Sequence, residues 1–145
     1  MPTSHHAREE ARVREANRHF YQAAEALSLE EMEAVWMQGP NCRCVHPGWP
    51  MVTGWSAVRE SWRQIFENTR ELNIALEQVN VSIEGGVAWV SCIEHVRSVG
   101  ESRMDHAVVC TSNLFVLSED EWKIVLHHAS PVPEPDGPAN SQSVH

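Results

Sequence analysis

The chain has 145 residues, the size of one domain, and 42% of them are hydrophobic, enough for a core without disulfides or a structural metal. Twenty acidic residues against 11 basic ones give a formal net charge of −9, and because such a field repels a phosphate backbone, we expect no nucleic-acid partner. No apolar run approaches the roughly 20 residues of a membrane-spanning helix, so we expect no membrane partner either.

Two helices are predicted in the first 40 residues. Over residues 8–27, apolar side chains recur at intervals of three and four, which indicates one apolar stripe. Ser28 is a typical N-cap, and Glu31, three residues later, completes a capping box for a second helix. Gly39 and Pro40 would end that second helix.

A short strand is predicted over residues 41–46. The following loop, residues 46–54, contains two prolines and two glycines, which favours an ordered turn over a periodic element. A third helix is predicted over residues 56–69, because its apolar residues fall on one face.

From residue 72 the apolar period changes from that of a helix to that of a strand. Four successive strands are predicted: residues 72–83, 87–99, 103–117 and 122–130. Gly85 and Gly86 supply a two-residue hairpin turn, and the later turns make the strands an antiparallel meander. Strands this long must curl, and the concave face then needs helices as cover. We therefore predict an α+β fold, with three N-terminal helices packed on a strongly curved antiparallel sheet around an internal pocket.

This single domain is predicted to span residues 1–132. Residues 133–145 are too rich in proline to continue a sheet, and we expect them to be disordered or to lie along a neighbouring subunit. Three of the four cysteines lie in predicted strands with apolar neighbours, where a free thiol acts as a small hydrophobe. With no leader sequence evident, these thiols favour a cytoplasmic protein without disulfides.

The order helix, helix, strand, helix and four meandering strands resembles the nuclear transport factor 2-like superfamily, whose fold is also called cystatin-like. The resemblance covers residues 10–132 and narrows to the SnoaL-like and ketosteroid-isomerase-like branch. Three segments carry it: Val45-His-Pro-Gly-Trp49, Gly54-Trp-Ser-Ala-Val58 followed by Ser61-Trp62, and Trp122-Lys-Ile-Val-Leu-His-His-Ala-Ser-Pro131.

This resemblance implies a cone whose mouth opens between helices and sheet, and a homodimer formed through the outer face of the sheet. The superfamily includes isomerases, dehydratases, cyclases, hydrolases and proteins without a catalytic role. Fold alone therefore does not define the activity.

His46 is the first candidate for proton transfer. It ends the first strand just before Pro47, at a position that resembles the general-base aspartate of the steroid isomerases. An imidazole, with an unperturbed pKa of ~6.5, can move a proton near neutral pH. The structural alternative is a histidine that hydrogen-bonds the backbone of the loop.

Asn113 resembles in position the second, protonated aspartate of the steroid isomerases, where an amide could donate to a developing oxyanion. The alternative is a polar residue satisfied at the sheet edge or by a buried water. Phe20 falls where the steroid isomerases carry their oxyanion tyrosine, and Tyr21 is expected to point about 100° away. Ketosteroid isomerisation is therefore not expected.

His127 and His128 are adjacent on a predicted strand, so their side chains must face opposite sides. Trp122, Ile124 and Leu126 share the face of His128. We therefore predict that His128 faces the interior and that His127 faces solvent or a partner subunit.

Glu94 and His95 are also neighbours in a strand, and one of them must face inward. A buried Glu94 would need a partner such as His46, whereas the alternative is a solvated or interfacial carboxylate. Trp49 and Trp62 lie near the third helix, and Trp49 is predicted either as core or as lining the mouth of the pocket.

Cys42, Cys44 and His46 place three metal-ligand types on one strand face. The first and last would lie ~13 Å apart, too far for ligand distances of ~2.0–2.3 Å to one ion. The alternative is a metal site formed by two of these residues together with a further residue such as His128. We predict no metal and no other cofactor.

The predicted function is a pocket for a small, mostly apolar organic molecule, as in an isomerase, dehydratase or hydrolase that uses His46 for proton transfer. Asn113 and His128 would orient or stabilise an oxygen. The predicted ligand-contacting residues are Phe20, Trp49, Trp62 and Glu94. The alternative is a non-catalytic ligand-binding or dimerisation module, which could bury His46 neutral, whereas an enzyme needs a His46 that titrates and is reached by solvent.

Overall fold

The computed structural model describes residues 4–133. Within them, three helices and six strands follow in the order α1 (Ser4–Glu25), α2 (Leu29–Val35), β1 (Arg43–Val45), β2 (Val52–Thr53), α3 (Trp55–Glu67), β3 (Glu71–Glu84), β4 (Val87–Val99), β5 (Met104–Ser118) and β6 (Glu121–Pro131). The predicted α+β fold is confirmed, and β2 is an addition inside the predicted loop. The tail predicted to be disordered lies, from residue 134 onward, outside the described residues.

The six strands form one sheet in the order β2-β1-β6-β5-β4-β3. Strands β3 to β6 are the predicted antiparallel meander. The antiparallel pattern does not extend to β1, which pairs in parallel with β6. The reason is the path out of α2: the backbone N–H of Met37 donates to Ile124 of β6 at 2.9 Å, so the chain already runs alongside β6.

Two irregularities interrupt the long strands. In β3 the register shifts between Glu77 and Asn80, and Gln78 there has a φ of 56°. In β6, Leu126 pairs with Leu114 and Ile124 pairs with Phe115, so that Val125 is an extra residue without a partner. Bulges of this kind bend a strand and increase its twist, which curls the sheet around its concave face.

Helix α1 packs against that concave face. The predicted cap of the next helix is present, since the backbone N–H of Glu31 donates to Ser28 Oγ at 3.1 Å. Helix and sheet together enclose the largest fully buried side chains, which are Trp36, Phe20, Phe115, Met32 and Ile124. Of the helices within residues 4–133, none combines the length and the apolar character needed to cross a membrane.

Candidate functional site

A cavity of about 180 Å³ lies between α1, α3, the loop after β1 and the concave face of the sheet. Most of its wall is apolar, formed by Phe20, Ala24, Pro47, Trp49, Trp62, Ile65, Leu72, Ile74 and Val96. Four polar side chains share this wall: Tyr21, His46, Glu94 and His127. An apolar, concave wall with few polar groups is the usual form of a small-molecule site.

The three predicted aromatic contacts lie at this cavity. Phe20 and Trp62 pack edge to face, with ring centroids 5.6 Å apart. Trp49 is half-buried beside the exposed Pro47, so the mouth of the cavity lies on their side. Their contact with a ligand remains a prediction.

His46 directly follows β1 and is held between two tryptophans. Its ring lies edge to face against Trp49 and Trp62, at centroid distances of 4.9 and 4.6 Å. The imidazole does not bond the loop backbone. The turn is held instead by the backbone carbonyl of His46, which accepts from Trp49 N at 2.8 Å.

Ser61 of α3 fixes the tautomer of His46. The Ser61 hydroxyl donates to the carbonyl of Val58, one turn back in the helix, at 2.7 Å. Its single hydrogen is therefore used, and the 2.8 Å contact with His46 Nε2 requires that Nε2 carry the proton and donate. Nδ1 of His46 is then the unprotonated nitrogen, and the polar atom near it is the weakly interacting Sγ of Cys44, at 3.9 Å.

His127, not His128, faces the cavity. His127 is 4% exposed, and its Nδ1 lies 2.7 Å from Asn113 Oδ1, while His128 is exposed on the outer face. The prediction of an inward His128 is wrong because the extra residue Val125 reverses the alternation of β6 between Ile124 and Leu126.

Asn113 lies directly opposite His127 across the sheet and organises the polar side chains. Because an amide oxygen only accepts, His127 Nδ1 carries a hydrogen and donates to it. The Asn113 Nδ2 group donates to Asn17 Oδ1 at 3.0 Å and to the Tyr21 hydroxyl at 3.1 Å. The predicted role as a direct donor to a ligand is therefore wrong: both of its hydrogens are used, and the fully buried Asn113 does not line the cavity.

Glu94 faces inward, and the adjacent His95 is exposed. Its predicted partner, His46, is not the one observed. Oε2 of Glu94 accepts from the Tyr21 hydroxyl at 2.5 Å and from Thr111 Oγ1 at 2.9 Å. The other oxygen, Oε1, makes no hydrogen bond within residues 4–133.

The prediction that Tyr21 points away from the pocket is also wrong. Phe20 and Tyr21 are both buried and both line the cavity. A helix enclosed by a curved sheet buries a wide arc, and two positions 100° apart both fall within it.

Burial sets the protonation of the imidazoles. It lowers the pKa of His46 to about 4 and that of His127 to about 3, the latter with further repulsion from His46 and His128. Both rings are therefore neutral at pH 7, and the tautomers above leave one unprotonated nitrogen on each.

Burial shifts the two acidic groups in the opposite direction. It raises the pKa of Glu94, although the hydrogen bonds from Tyr21 and Thr111 oppose the shift. It also raises the pKa of Tyr21 well above its ordinary value, with the nearby Glu94 adding to the effect. The phenol is therefore a neutral donor, and the protonated form of Glu94 persists to a higher pH than that of an exposed glutamate.

Cys42, Cys44 and His46 do not form a metal site. No group of three or more metal-ligating side chains comes together in the part of the chain that the structure describes. Burial raises the pKa of the Cys44 thiol well above its ordinary value, which disfavours the thiolate that a metal needs.

Asn17 and Ser61, two polar residues of the site, were not among the residues predicted from the sequence. Each gives a signal, since each is a polar residue on the apolar face of its helix. Asn17 stands between Val13 and Phe20, and Ser61 follows Val58 by one turn. His127 was missed because nothing in the local sequence marks Val125 as an extra residue.

A helix-covered, curved sheet around a small apolar cavity with buried polar groups is the architecture of the nuclear transport factor 2-like class. A candidate dehydratase of the NTF2-like family from Streptomyces avermitilis has 32% identity and a TM-score of 0.83, over 88% of this chain and 99% of that one. A candidate calcium/calmodulin-dependent protein kinase type II association domain from Thiobacillus denitrificans has 29% identity and a TM-score of 0.73, over 81% and 93% of the two chains.

Among curated proteins, the chain is 22% identical over 114 residues to the F-box protein SKIP8 of Arabidopsis thaliana. The match covers 79% of this chain and 47% of that protein, so the chain spans about half the length of this relative. The sequence model of the SnoaL-like domain family matches residues 13–135. The chain belongs to the SnoaL-like domain family.

Proposed function

We propose that this protein is an enzyme of the proton-transfer class, an isomerase or a dehydratase, that acts on a small and mostly apolar organic molecule. The observation that carries the proposal is the pairing of two open groups in one buried cavity. Among residues 4–133, neither His127 Nε2 nor Glu94 Oε1 has a hydrogen-bond partner, while the other polar atoms of both side chains are hydrogen-bonded. The likeness to a candidate dehydratase agrees with this class.

The cavity volume limits the substrate to about one ring. An engineered apolar cavity of about 150 Å³ binds benzene, whereas pockets for drug-sized ligands are about 300–1,000 Å³. At about 180 Å³, this cavity fits a six-membered ring with one or two substituents.

The arrangement supplies both partners of a proton transfer. Neutral His46 and His127 each offer an unprotonated nitrogen, and proton transfer by a positioned side chain contributes about 10²–10⁴-fold to a rate. Because Oε2 of Glu94 already accepts two hydrogen bonds, any proton that Glu94 carries belongs on Oε1. In a dehydration, an imidazole takes the C–H proton, Glu94 protonates the leaving hydroxyl, a C=C bond forms and water departs.

The test uses 3-hydroxycyclohexanone in D₂O. Exchange of the C2 hydrogen, followed by NMR, reports proton removal, and the absorbance of 2-cyclohexenone reports elimination. We expect His46→Gln, His127→Asn and Glu94→Gln each to slow the reaction by at least about 10²-fold. His46→Gln retains a donor toward Ser61, and His127→Asn retains a donor toward Asn113.

The matched control is His128→Asn, which changes the exposed neighbour of His127 and should leave the rate unchanged. Binding of the probe is followed independently through the intrinsic fluorescence of the six tryptophans, of which Trp49 and Trp62 line the cavity. The enzyme proposal would be contradicted if the probe bound to the parent protein but its hydrogen exchange and its elimination were no faster there than with Glu94→Gln.

A specific observation favours the second candidate, a non-catalytic ligand-binding or association module. His46 is 3% exposed, and its pKa of about 4 makes it a weak base at neutral pH. The likeness to a candidate kinase association domain agrees with this reading. Retained binding without turnover in the assay above would select this second function.

We also propose that two copies associate through the outer face of the sheet. Trp89, 41% exposed, pairs in register with Leu114, which pairs with Leu126, so one apolar row crosses that face. Native mass spectrometry of the freshly purified protein should record a dimer, and any added mass would identify a bound molecule. A monomer at micromolar concentration would contradict this association.

A further inference from the structure

We infer that the cavity recognises a hydroxyl group, and that its ligand is a neutral one-ring alcohol or phenol. The inference deepens the proposed function, since it rests on the same cavity being the ligand site. It follows from which hydrogen-bonding atoms the protein has already used and which it leaves open.

The donor groups of Asn113, Tyr21 and Thr111 are all occupied within the protein. Asn113 gives its two amide hydrogens to Asn17 and Tyr21, and Tyr21 gives its hydroxyl hydrogen to Glu94. Thr111 also donates to Glu94, at 2.9 Å. None of these hydrogens remains for a ligand.

The two imidazoles have likewise used their N–H groups. His127 Nδ1–H donates to Asn113, and His46 Nε2–H donates to Ser61. Each neutral ring therefore presents to any further partner only the lone pair of its second nitrogen.

Two acceptors of the cavity wall have no hydrogen-bond partner within residues 4–133, whereas the acceptor nitrogen of His46, Nδ1, contacts Cys44 Sγ at 3.9 Å. Neither His127 Nε2 nor Glu94 Oε1 has a hydrogen-bond partner among the described residues. The fully buried, unpaired polar atoms in that part of the chain are the indole nitrogens of Trp36 and Trp62. His127 Nε2 and Glu94 Oε1 are not among them, so both border open space, which for residues 4% exposed is the cavity that they line.

The indole N–H groups do not alter this balance. Trp62 Nε1 is fully buried and out of reach of a molecule in the cavity. Trp49 is half-buried at the mouth, beside the exposed Pro47. The inner part of the cavity therefore presents acceptors on an apolar, aromatic wall.

A hydroxyl fits these acceptors in either protonation state of Glu94. It can donate to His127 Nε2 or to the carboxylate, and it can accept from Oε1 when Glu94 is protonated. A ligand with only a carbonyl leaves His127 Nε2 unpaired in a buried site, which is unfavourable.

Charged ligands fit less well. None of the described lining residues is Lys or Arg, so a carboxylate would meet Glu94 without a compensating cation. An ammonium group would pair with one buried carboxylate, and the desolvation of both ions opposes that pairing.

The test compares four ligands that share one ring: cyclohexanol, cyclohexanone, cyclohexanecarboxylate and cyclohexylammonium. Affinities are measured by titration calorimetry on the full chain at pH 7. We expect cyclohexanol to bind at least tenfold more tightly than each of the others. Equal or tighter binding of cyclohexanone or of cyclohexylammonium would overturn the inference.

Two variants test whether the preference for cyclohexanol depends on His127 Nε2 and Glu94 Oε1. His127→Asn removes the Nε2 acceptor and should reduce the affinity for cyclohexanol without reducing that for cyclohexanone. Glu94→Gln keeps an oxygen for Tyr21 and Thr111 but turns an N–H₂ group to the cavity, so it should strengthen cyclohexanone binding. His128→Asn is the control, and a preference for cyclohexanol that survives both variants would contradict the assignment.

Failure of this inference is distinguishable from failure of the enzyme proposal. Selective binding of cyclohexanol without turnover of 3-hydroxycyclohexanone leaves the hydroxyl preference intact and removes the catalytic role. Turnover of 3-hydroxycyclohexanone together with equal binding of the four ligands supports the catalytic role and removes the hydroxyl preference.

Discussion

Tyr21 connects the two halves of the polar network at the scale of single residues. Its hydroxyl accepts from Asn113, which holds His127, and donates to Glu94, which opens into the cavity. One phenol thus fixes the orientation of groups from three strands. Because all of these atoms are buried, loss of the hydroxyl leaves two of them short of a partner.

Tyr21→Phe should lower the free energy of unfolding by about 1–3 kcal/mol, the cost of leaving buried polar groups unsatisfied. Urea denaturation of the variant and the parent measures this difference. The double variant Tyr21→Phe with Glu94→Gln should show a non-additive change, since the two residues share a hydrogen bond. A single-variant change below about 0.5 kcal/mol, typical of surface positions, would contradict the role assigned to Tyr21.

Part of this site was predictable from residue identity, whereas the rest depends on the three-dimensional arrangement of the elements. His46 was recognisable because it ends a strand just before a proline, and Glu94 because two adjacent polar residues in a strand cannot both face outward. The partners of Glu94 were not predictable. They depend on which strands become neighbours and on how deeply α1 enters the sheet.

At the scale of elements, the start of α3 depends on Gly54. Its φ of 89° and ψ of 148° lie in a region that side-chain-bearing residues rarely adopt. The turn is fixed by its backbone N–H, which donates to Cys42 O at 2.8 Å. This turn aims α3, and with it Ser61 and Trp62, at the cavity.

Gly54→Ala should therefore destabilise the protein by about 1–3 kcal/mol through backbone strain, measured as a lower urea midpoint. Space is not the cause, because the nearest atom to an added Cβ is Pro40 O at 3.9 Å. Gly86→Ala is the matched control: its φ is not positive, and its Cβ would meet Leu117 Cβ at an ordinary 3.9 Å. Equal effects of the two substitutions would contradict the strain argument.

The order and type of the long elements were predictable because their apolar periods are regular over ten or more residues. β2 was not, since a two-residue strand has no period to detect. The parallel pairing of β1 was also hidden, because strand direction depends on the path of the chain from α2 rather than on the residues of β1.

At the scale of the whole molecule, the buried histidines couple folding to pH. An unfolded histidine has a pKa of about 6.5, whereas burial lowers the pKa of His46 to about 4 and of His127 to about 3. Below pH 6.5 the unfolded chain therefore binds protons that the native state does not. Stability present above pH 6.5 is lost as the pH falls toward 4.

Each of these histidines should contribute a slope of about 1.4 kcal/mol per pH unit between pH 6 and 4.5. Glu94, with its raised pKa, acts in the opposite direction, because the folded state then holds a proton that the unfolded state releases. Urea denaturation across this range measures how the free energy of unfolding changes with pH. This slope should be smaller in His46→Gln and in His127→Asn than in the parent protein. If the free energy of unfolding of these two variants changed with pH as steeply as that of the parent and of the control His128→Asn, this coupling would be contradicted.

The extra residue in β6 has a consequence for comparing this protein with its homologues. Removing Val125 would leave Ile124 and His127 on the same face, so an insertion or deletion inside this strand preserves the site while it changes the spacing of the residues that form it. An alignment that permits gaps only in loops would place the cavity histidine of one homologue opposite an outward-facing residue of another. Equivalent site residues are therefore to be matched by superposing the strands on either side of the bulge, with the gap assigned to position 125.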